Sequence, residues 1–326
     1  MGLMVLNFIR KNKRVIVVAV VTLFLALAQL LPAPKGPFIN ELQNAGHAPA
    51  YGLMALVLLC LINRHSILSK RPLPVRYLLA GCGAAGIGIL FEFLQQFVGR
   101  EPLLSDFLHD LFGISGLLCF GAVIRGDLLR NRSRSLKAVV LTASLVLTAI
   151  PAYPAFHLTA AYLYRNRQFP MLCAFESYLE QPFVCVNDRA AEFRKPGEIW
   201  EGNGGKALHV VFTPGRQYPG FTLSECYPDW RGYGALSFSA WLPGSTGRNL
   251  TLRINDAKHT QEYADRFNTT FLLHPGLNRI AIDLDKVAHA PENRLMDMGK
   301  IQTICVFTIN PSDSFEVWFD DFRLEK

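Results

Sequence analysis

Five apolar runs crowd the first half of this chain, at roughly Val15–Leu31, Ala48–Ile62, Tyr77–Val98, Leu104–Ile124 and Ala138–Phe156. Each approaches the roughly 20 residues that a helix needs to cross about 30 Å of hydrocarbon. A segment in lipid must satisfy its own backbone polar groups, so runs of this kind are expected to form a membrane α-helical bundle of about five helices. The second run is the shortest and begins among polar residues. The first follows the basic stretch KNKR and ends in LAQLLPAP, which is also the pattern of a secretion signal; with further spans behind it, an uncleaved helix serves equally well.

Half of the 326 residues are hydrophobic, yet the apolar runs stop near residue 160. A transmembrane domain over residues 1–160 and a second domain over 161–326 are therefore expected.

The basic residues fall in alternate connections. Arg10, Lys11, Lys13 and Arg14 precede the first run, Arg64, Lys70, Arg71 and Arg76 separate the second from the third, and Arg125, Arg130, Arg132, Arg134 and Lys137 separate the fourth from the fifth. The remaining connections carry only Lys35 and Arg100. By the positive-inside rule the N-terminus is cytoplasmic, and an odd number of spans exports everything after Phe156. The net charge of +7 is thereby explained by topology, with anionic membrane lipid as the neighbour, and no recognition motif for nucleic acid accompanies it.

From about Arg165 onward, short alternating runs such as KALHVVFTPG, GALSFSAWLPG, NLTLRIND and FEVWFDDFRL are separated by turn residues. About eight such strands predict an all-β jelly-roll sandwich. Trp230, Tyr233 and Trp241 are read as core. Cys60, Cys82 and Cys119 lie in apolar runs as packing residues, whereas Cys173, Cys185, Cys226 and Cys305 fall in the exported part, where disulfides can form.

The segment LRINDAKHTQEYADRF gathers Arg253, Asn255, Asp256, His259, Tyr263 and Arg266, groups able to hydrogen-bond and stack on a sugar. On a strand, Arg253 and Asn255 share the face opposite Leu252 and Ile254. The competing reading is an internal salt-bridge cluster, such as Asp256 or Asp265 with Arg266.

The sandwich half resembles carbohydrate-binding modules of the galactose-binding-like superfamily over roughly Leu172 to Leu324, through AFESYLE, DWRGYGALSFSAWLP and EVWFDDFRL. That resemblance implies a glycan ligand and a structural calcium shared by Glu176 and Asp320 or Asp321, since hard carboxylate oxygens suit calcium. The competing reading is that these are solvated strand-end charges.

Polar residues interrupt the apolar runs at matching depths. Glu92 with Gln95 and Gln96, Asp106 with His109, Asp110 and Gly113, and His47 with Tyr51 each share a helix face at spacings of three or four. Arg100, in the connection between, is a natural counter-charge for Glu92 or Asp106. Ionisable groups persist in a membrane when they pair, line a cavity or do chemistry. GCGAAGIG, from Gly81 to Gly88, has the letters of a dinucleotide fingerprint but lies inside an apolar run and follows no strand, so it reads as close helix packing.

The same residues resemble the VanZ-like membrane family over about residues 10 to 130. NAGHAPAYGLMALVLL matches through His47 and Tyr51, EFLQQFVGR through Glu92, Gln95 or Gln96 and Arg100, and SDFLHDLFG through Asp106 and Gly113. Asp110 departs from the pattern, standing where the family has asparagine. The family is named for an association with low-level resistance to a glycopeptide antibiotic, so the resemblance implies cell-envelope biology without naming a reaction.

The expected function is thus a VanZ-like membrane protein presenting a glycan-binding β-sandwich outside a bacterial inner or plasma membrane. The alternative is an integral-membrane enzyme acting on a lipid-linked envelope substrate, with His47, Glu92, Asp106 or His109 as acid, base or metal ligand. A third reading is a buried hydrogen-bond network that fixes helix register.

Overall fold

The computed structural model describes residues 20–22, 24, 27, 36–98, 104–186, 191–194 (backbone alone at 191–193), 200 and 204–326. Most of the first apolar run, the basic residues before it, Lys35 and Arg100 lie outside the described residues. The chain divides into two compact units, Met1–His157 and Leu158–Lys326.

The first unit is helical, with α1 at Pro37–Arg64, α2 at Leu73–Gln95, α3 at Leu104–Arg125 and α4 at Arg134–Ala149. A short 3-10 turn at Ile150–Ala152 joins α4 to α5, Tyr153–Gln168, whose last turns belong to the second unit. Four helical stretches among the described residues are long and apolar enough to cross a membrane, the fourth running from Arg134 to Gln168. Leu78, Ile89, Phe93 and Val139 are each more than half exposed. A bundle in water turns polar side chains to that surface, whereas lipid favours the apolar ones found here.

α1 begins well before the apolar run that announced it. Pro37 sits in its first turn, where a missing amide costs nothing, and the polar stretch NELQNAG continues the helix. His47, expected at the start of a span, is therefore inside the helix. Helix propensity does not require apolar side chains, so a hydrophobicity reading ends the element too early.

The second unit is a sandwich of eleven described strands in two antiparallel sheets. They are β1 Met171–Cys173, β2 Val184–Val186, β3 Ala191–Arg194, β4 Ala207–Phe212, β5 Gly220–Ser224, β6 Ala235–Leu242, β7 Arg248–Asp256, β8 Phe267–Leu273, β9 Gly276–Asp283, β10 Ile301–Phe307 and β11 Phe315–Glu325. One sheet has the order β3-β4-β11-β6-β9, with β1 also on β11, and the other has β2-β5-β10-β7-β8. The strands beyond the expected eight are β1, β2 and β3, each too short to print an alternation.

Period-two alternation fills the space between the sheets. Leu236, Phe238, Ala240 and Leu242 of β6 point inward, and Phe238 stacks on Phe322 of β11 at 4.4 Å between ring centres. Trp230 is fully buried, its indole Nε1 donating to the Tyr227 carbonyl at 2.8 Å, and Tyr233 packs against the core edge. Trp241 packs against a second, smaller apolar cluster. The alternation that buries Ala240 and Leu242 turns it to the outer face, where it stacks on Trp200 at 6.2 Å and joins Trp318. All seven cysteines are unbridged.

Candidate functional sites

In the first unit, His47 of α1 is surrounded by carboxylates from two other helices. Its Nδ1 lies 2.9 Å from Asp110 Oδ1 and 4.0 Å from Glu92 Oε1, while Nε2 lies 3.9 Å from Asp106 Oδ2. His47, Asp106 and Asp110 are at most 1% exposed and Glu92 is 7% exposed. The helices supply these groups by spacing. Asp106 and Asp110 stand one turn apart on the inner face of α3, and Glu92 faces them from the last turn of α2.

A neutral imidazole that donates from Nδ1 to Asp110 keeps a lone pair on Nε2. Among the described residues that nitrogen has no hydrogen-bond partner, and neither do Asp106 Oδ2 and Asp110 Oδ2. Tyr51, one turn beyond His47, is fully buried, stacks on it at 6.0 Å between ring centres, and has a hydroxyl without a hydrogen-bond partner among the described residues. Among the described residues, the ion pairs of Asp106 and Asp110 are with His47 alone. Gly88 of α2 makes room, since a side chain there would collide with Asp110 Oδ2.

Sequence spacing found most of this cluster, and two of the residues it named, Gln96 and His109, are less enclosed than the rest. Gln95 is buried whereas Gln96, one residue on, is exposed. His109 is only half-buried and forms no ion pair among the described residues. Arg100, read as the counter-charge, lies outside the described residues.

In the second unit, a cleft of about 290 Å³ opens on the outer face of the β2-β5-β10-β7-β8 sheet, lined by Tyr218, Thr222, Arg253, Arg266 and Phe307, with Gly220 on its wall. A neighbouring hollow of about 350 Å³ shares Tyr218, Arg266 and Phe307 and adds Tyr263 and Asn268. β7 pairs with β8 so that Arg253 faces Asn268, which brings Arg266, two residues before Asn268, to the same region. The Arg266 guanidinium lies 5.1 Å from the centre of the Tyr263 ring, which is 72% exposed.

Among the described residues neither Arg253 nor Arg266 pairs with a carboxylate, and Arg253 Nε, Arg266 Nε and Asn268 Nδ2 are buried without a hydrogen-bond partner. Burial, and then the neighbouring Arg253 charge, push the Arg266 guanidinium below its ordinary range.

The six residues expected to form one sugar site divide into separate groups. Arg253, Tyr263 and Arg266 line the clefts. Asn255 is buried and accepts a 2.6 Å hydrogen bond from Thr303 Oγ1. Asp256, fully buried, accepts from Arg294 Nη1 at 2.6 Å and Nη2 at 2.8 Å and from the Asp297 amide at 2.7 Å. His259 donates from Nδ1 to the Asp265 carbonyl at 2.9 Å. A salt-bridge cluster does exist here, but its cation is Arg294, which also donates from Nε to Asp265 at 2.6 Å. Burial, the largest single influence, would raise the Asp256 carboxyl; the Arg294 hydrogen bonds, the Asp297 amide, the Arg294 charge and the Lys258 amide together outweigh it and hold the group below its usual value. Tyr218 and Phe307 joined the site unannounced; the inward–outward alternation of β10 marks Phe307 as outward, but no spacing ties it to Arg253.

Of the residues tied to calcium, Glu176 is exposed and its Oε1 accepts from the Lys206 amide at 2.9 Å. Asp320 is buried and takes the Asp321 amide at 2.8 Å, whereas Asp321 is exposed at a bulge with φ +56°. None of the three belongs to a group of three or more potential metal-binding side chains among the described residues.

No protein-family model matches the chain, and no curated protein does. Among solved structures, it is similar to an exo-β-agarase at 15% identity and TM-score 0.38, covering 48% of this chain and 25% of that one. It is also similar to a family 11 carbohydrate-binding module from Clostridium thermocellum in complex with a β-1,3-1,4-mixed-linked tetrasaccharide, at 18% identity and TM-score 0.36, covering 48% of this chain and 94% of the module. A family 30 carbohydrate-binding module of a cellulosomal cellulase from Clostridium thermocellum has 14% identity and TM-score 0.31, covering 44% of this chain and 86% of that one. The chain thus spans about a quarter of the length of the agarase.

Proposed function

We propose that this chain is an integral membrane protein of the cell envelope, VanZ-like in its first unit, whose β-sandwich binds an acidic glycan. The observation that carries the proposal is the Arg253 and Arg266 pair, two like charges in an aromatic-walled cleft with no carboxylate partner among the described residues. Guanidinium forks match carboxylate and sulfate oxygens in bidentate geometry, and an acidic sugar gives the pair an anion that the described residues do not. Tyr218 and Tyr263, both more than half exposed, offer ring faces for a sugar.

The full chain in lipid nanodiscs should be retained on polygalacturonate or alginate and released as salt rises, while neutral β-glucan retains far less. Arg253→Gln with Arg266→Gln should remove that retention. Equal retention on the neutral polymer, or no retention on either acidic one, excludes the acidic-glycan assignment.

The distribution of lysine and arginine between the helices supports a cytoplasmic N-terminus and an extracytoplasmic sandwich. Labelling of Cys185 by a membrane-impermeant reagent in intact cells is the test, and protection until the membrane is opened would reverse the orientation. A structural calcium held by Glu176 and Asp320 or Asp321 belongs to the same reading; its signature is a drop in thermal stability on chelation.

A second reading, an integral-membrane enzyme working on a lipid-linked envelope substrate, is favoured by the buried His47 cluster. Its test is restoration of an envelope phenotype by Glu92→Ala or Asp106→Ala chains that insert normally, and full restoration by both would exclude it.

A further inference from the structure

His47, Glu92 and Asp110 each offer one ligand atom, and these atoms lie within 4.8 Å of one another. We propose that these three residues bind a first-row divalent cation, zinc or manganese, with Asp106 orienting the imidazole from its other side.

The chemistry of the donors selects the ion. One imidazole nitrogen with carboxylate oxygens and no thiolate suits zinc or manganese, whereas calcium and magnesium prefer oxygen alone. Zinc bonds of about 2.0–2.2 Å bring ligand atoms within about 4 Å of each other, so the cluster needs only a small inward movement of side chains.

Burial supplies the independent reason. Carboxylates removed from water require a proton, a cationic partner or a metal. The ion pairs of Asp106 and Asp110 among the described residues are with one histidine, which can carry a single positive charge. Asp110 Oδ2, fully buried, has no hydrogen-bond partner among the described residues, and the Tyr51 hydroxyl beside the cluster has none among them either. A divalent ion on the Nδ1 side of His47 takes the place of the proton between His47 and Asp110 and gathers Glu92 from 4.0 Å. The displaced tautomer then carries its hydrogen on Nε2, facing Asp106 Oδ2 at 3.9 Å. A carboxylate behind a metal-binding imidazole is the usual device for fixing its ring.

The test uses the full chain purified in detergent, stripped with a chelator and reloaded separately with zinc, manganese and calcium. About one zinc or manganese per chain should remain after desalting, with a rise in unfolding temperature, and calcium should give neither. Glu92→Gln and Asp110→Asn, which keep side-chain size, should lose the metal and the temperature rise. Asp106→Asn should keep the stoichiometry with affinity reduced by about tenfold to a hundredfold. Absence of retained metal and of any temperature shift in the unsubstituted chain overturns the proposal, which does not depend on the variants folding. Metal retained equally by Glu92→Gln and Asp110→Asn chains overturns it as well.

Discussion

Gly113 of α3 lies directly against the backbone of Ala48 in α1, with no space between them for a side chain. One turn along α1, Gly52 meets the Gly113 carbonyl in the same way. Small residues let helix backbones approach in a membrane, where no hydrophobic effect draws helices together. Here the approach also sets the distance between His47, next to Ala48, and Asp110, one turn before Gly113.

Gly113→Ala should therefore force α1 and α3 apart and destabilise the first unit by about 1–3 kcal/mol, the usual cost of overpacking. Gly86→Ala is the control, because nothing lies within 4 Å of the added carbon. Thermal unfolding of both chains in detergent should show a lower midpoint for the first only. Equal midpoints would mean that the helices have room to give.

A second prediction concerns Arg294. Removing it with Arg294→Ala leaves Asp256, fully buried, without its two guanidinium hydrogen bonds. Breaking a buried pair costs about 3–5 kcal/mol; with 25% of the Arg294 side chain exposed, solvent screening reduces the expected loss to about 2–3 kcal/mol. Chemical unfolding of the two chains measures it, and a loss near zero would place the bond energy elsewhere.

The same network gives a pH dependence. The Arg294 Nε hydrogen bond, and after it the Thr260 amide, hold the Asp265 carboxyl at about 2, below its unfolded value of about 3.9. A depressed carboxylate contributes fully above the unfolded value and loses that contribution as pH falls through the folded one. Stability of the unsubstituted chain should decline between about pH 4 and pH 2, and Arg294→Ala should flatten that part of the decline. Parallel acid profiles for both chains would remove Arg294 as the cause.

How much of this could be read beforehand differs between the two units for a physical reason. His47, Glu92, Asp106 and Asp110 stand out because polar groups are costly in apolar helices and helical spacing states which of them share a face. Gln95 and Gln96 were not separable, since both satisfy a spacing of three or four from Glu92 while one residue turns the helix by about 100°. In the sandwich, strand runs were legible from alternation, as in β6, whereas Arg294 was not. Its partners Asp256 and Asp265 are 38 and 29 residues away, and the course of the intervening chain decides that meeting. Arg253 and Arg266 meet through the register of β7 on β8, which follows from backbone pairing and not from either arginine.

Cysteine chemistry offers a further check on the core. Burial pushes the Cys226 thiol up to about 12 and the Cys173 thiol well above its ordinary value. Since the thiolate is the nucleophile, both should resist alkylation at pH 8, while exposed Cys185 reacts. Mass spectrometry of labelled peptides before and after denaturation would show this order. Labelling of all three at one rate in the native state would contradict the packing around β1 and Cys226.

The acidic-glycan cleft predicts two separable losses. Arg266→Gln removes a charge, so its effect on binding to polygalacturonate should be large at low salt and shrink as salt screens the interaction. Tyr263→Ala removes a stacking face, 5.1 Å from the Arg266 guanidinium, and with it about 1 kcal/mol, or roughly fivefold in affinity, at any salt concentration. Affinity electrophoresis across a salt series distinguishes the two. If both variants lose affinity with the same salt dependence, the tyrosine acts only by positioning the arginine, and the ring is not a sugar platform.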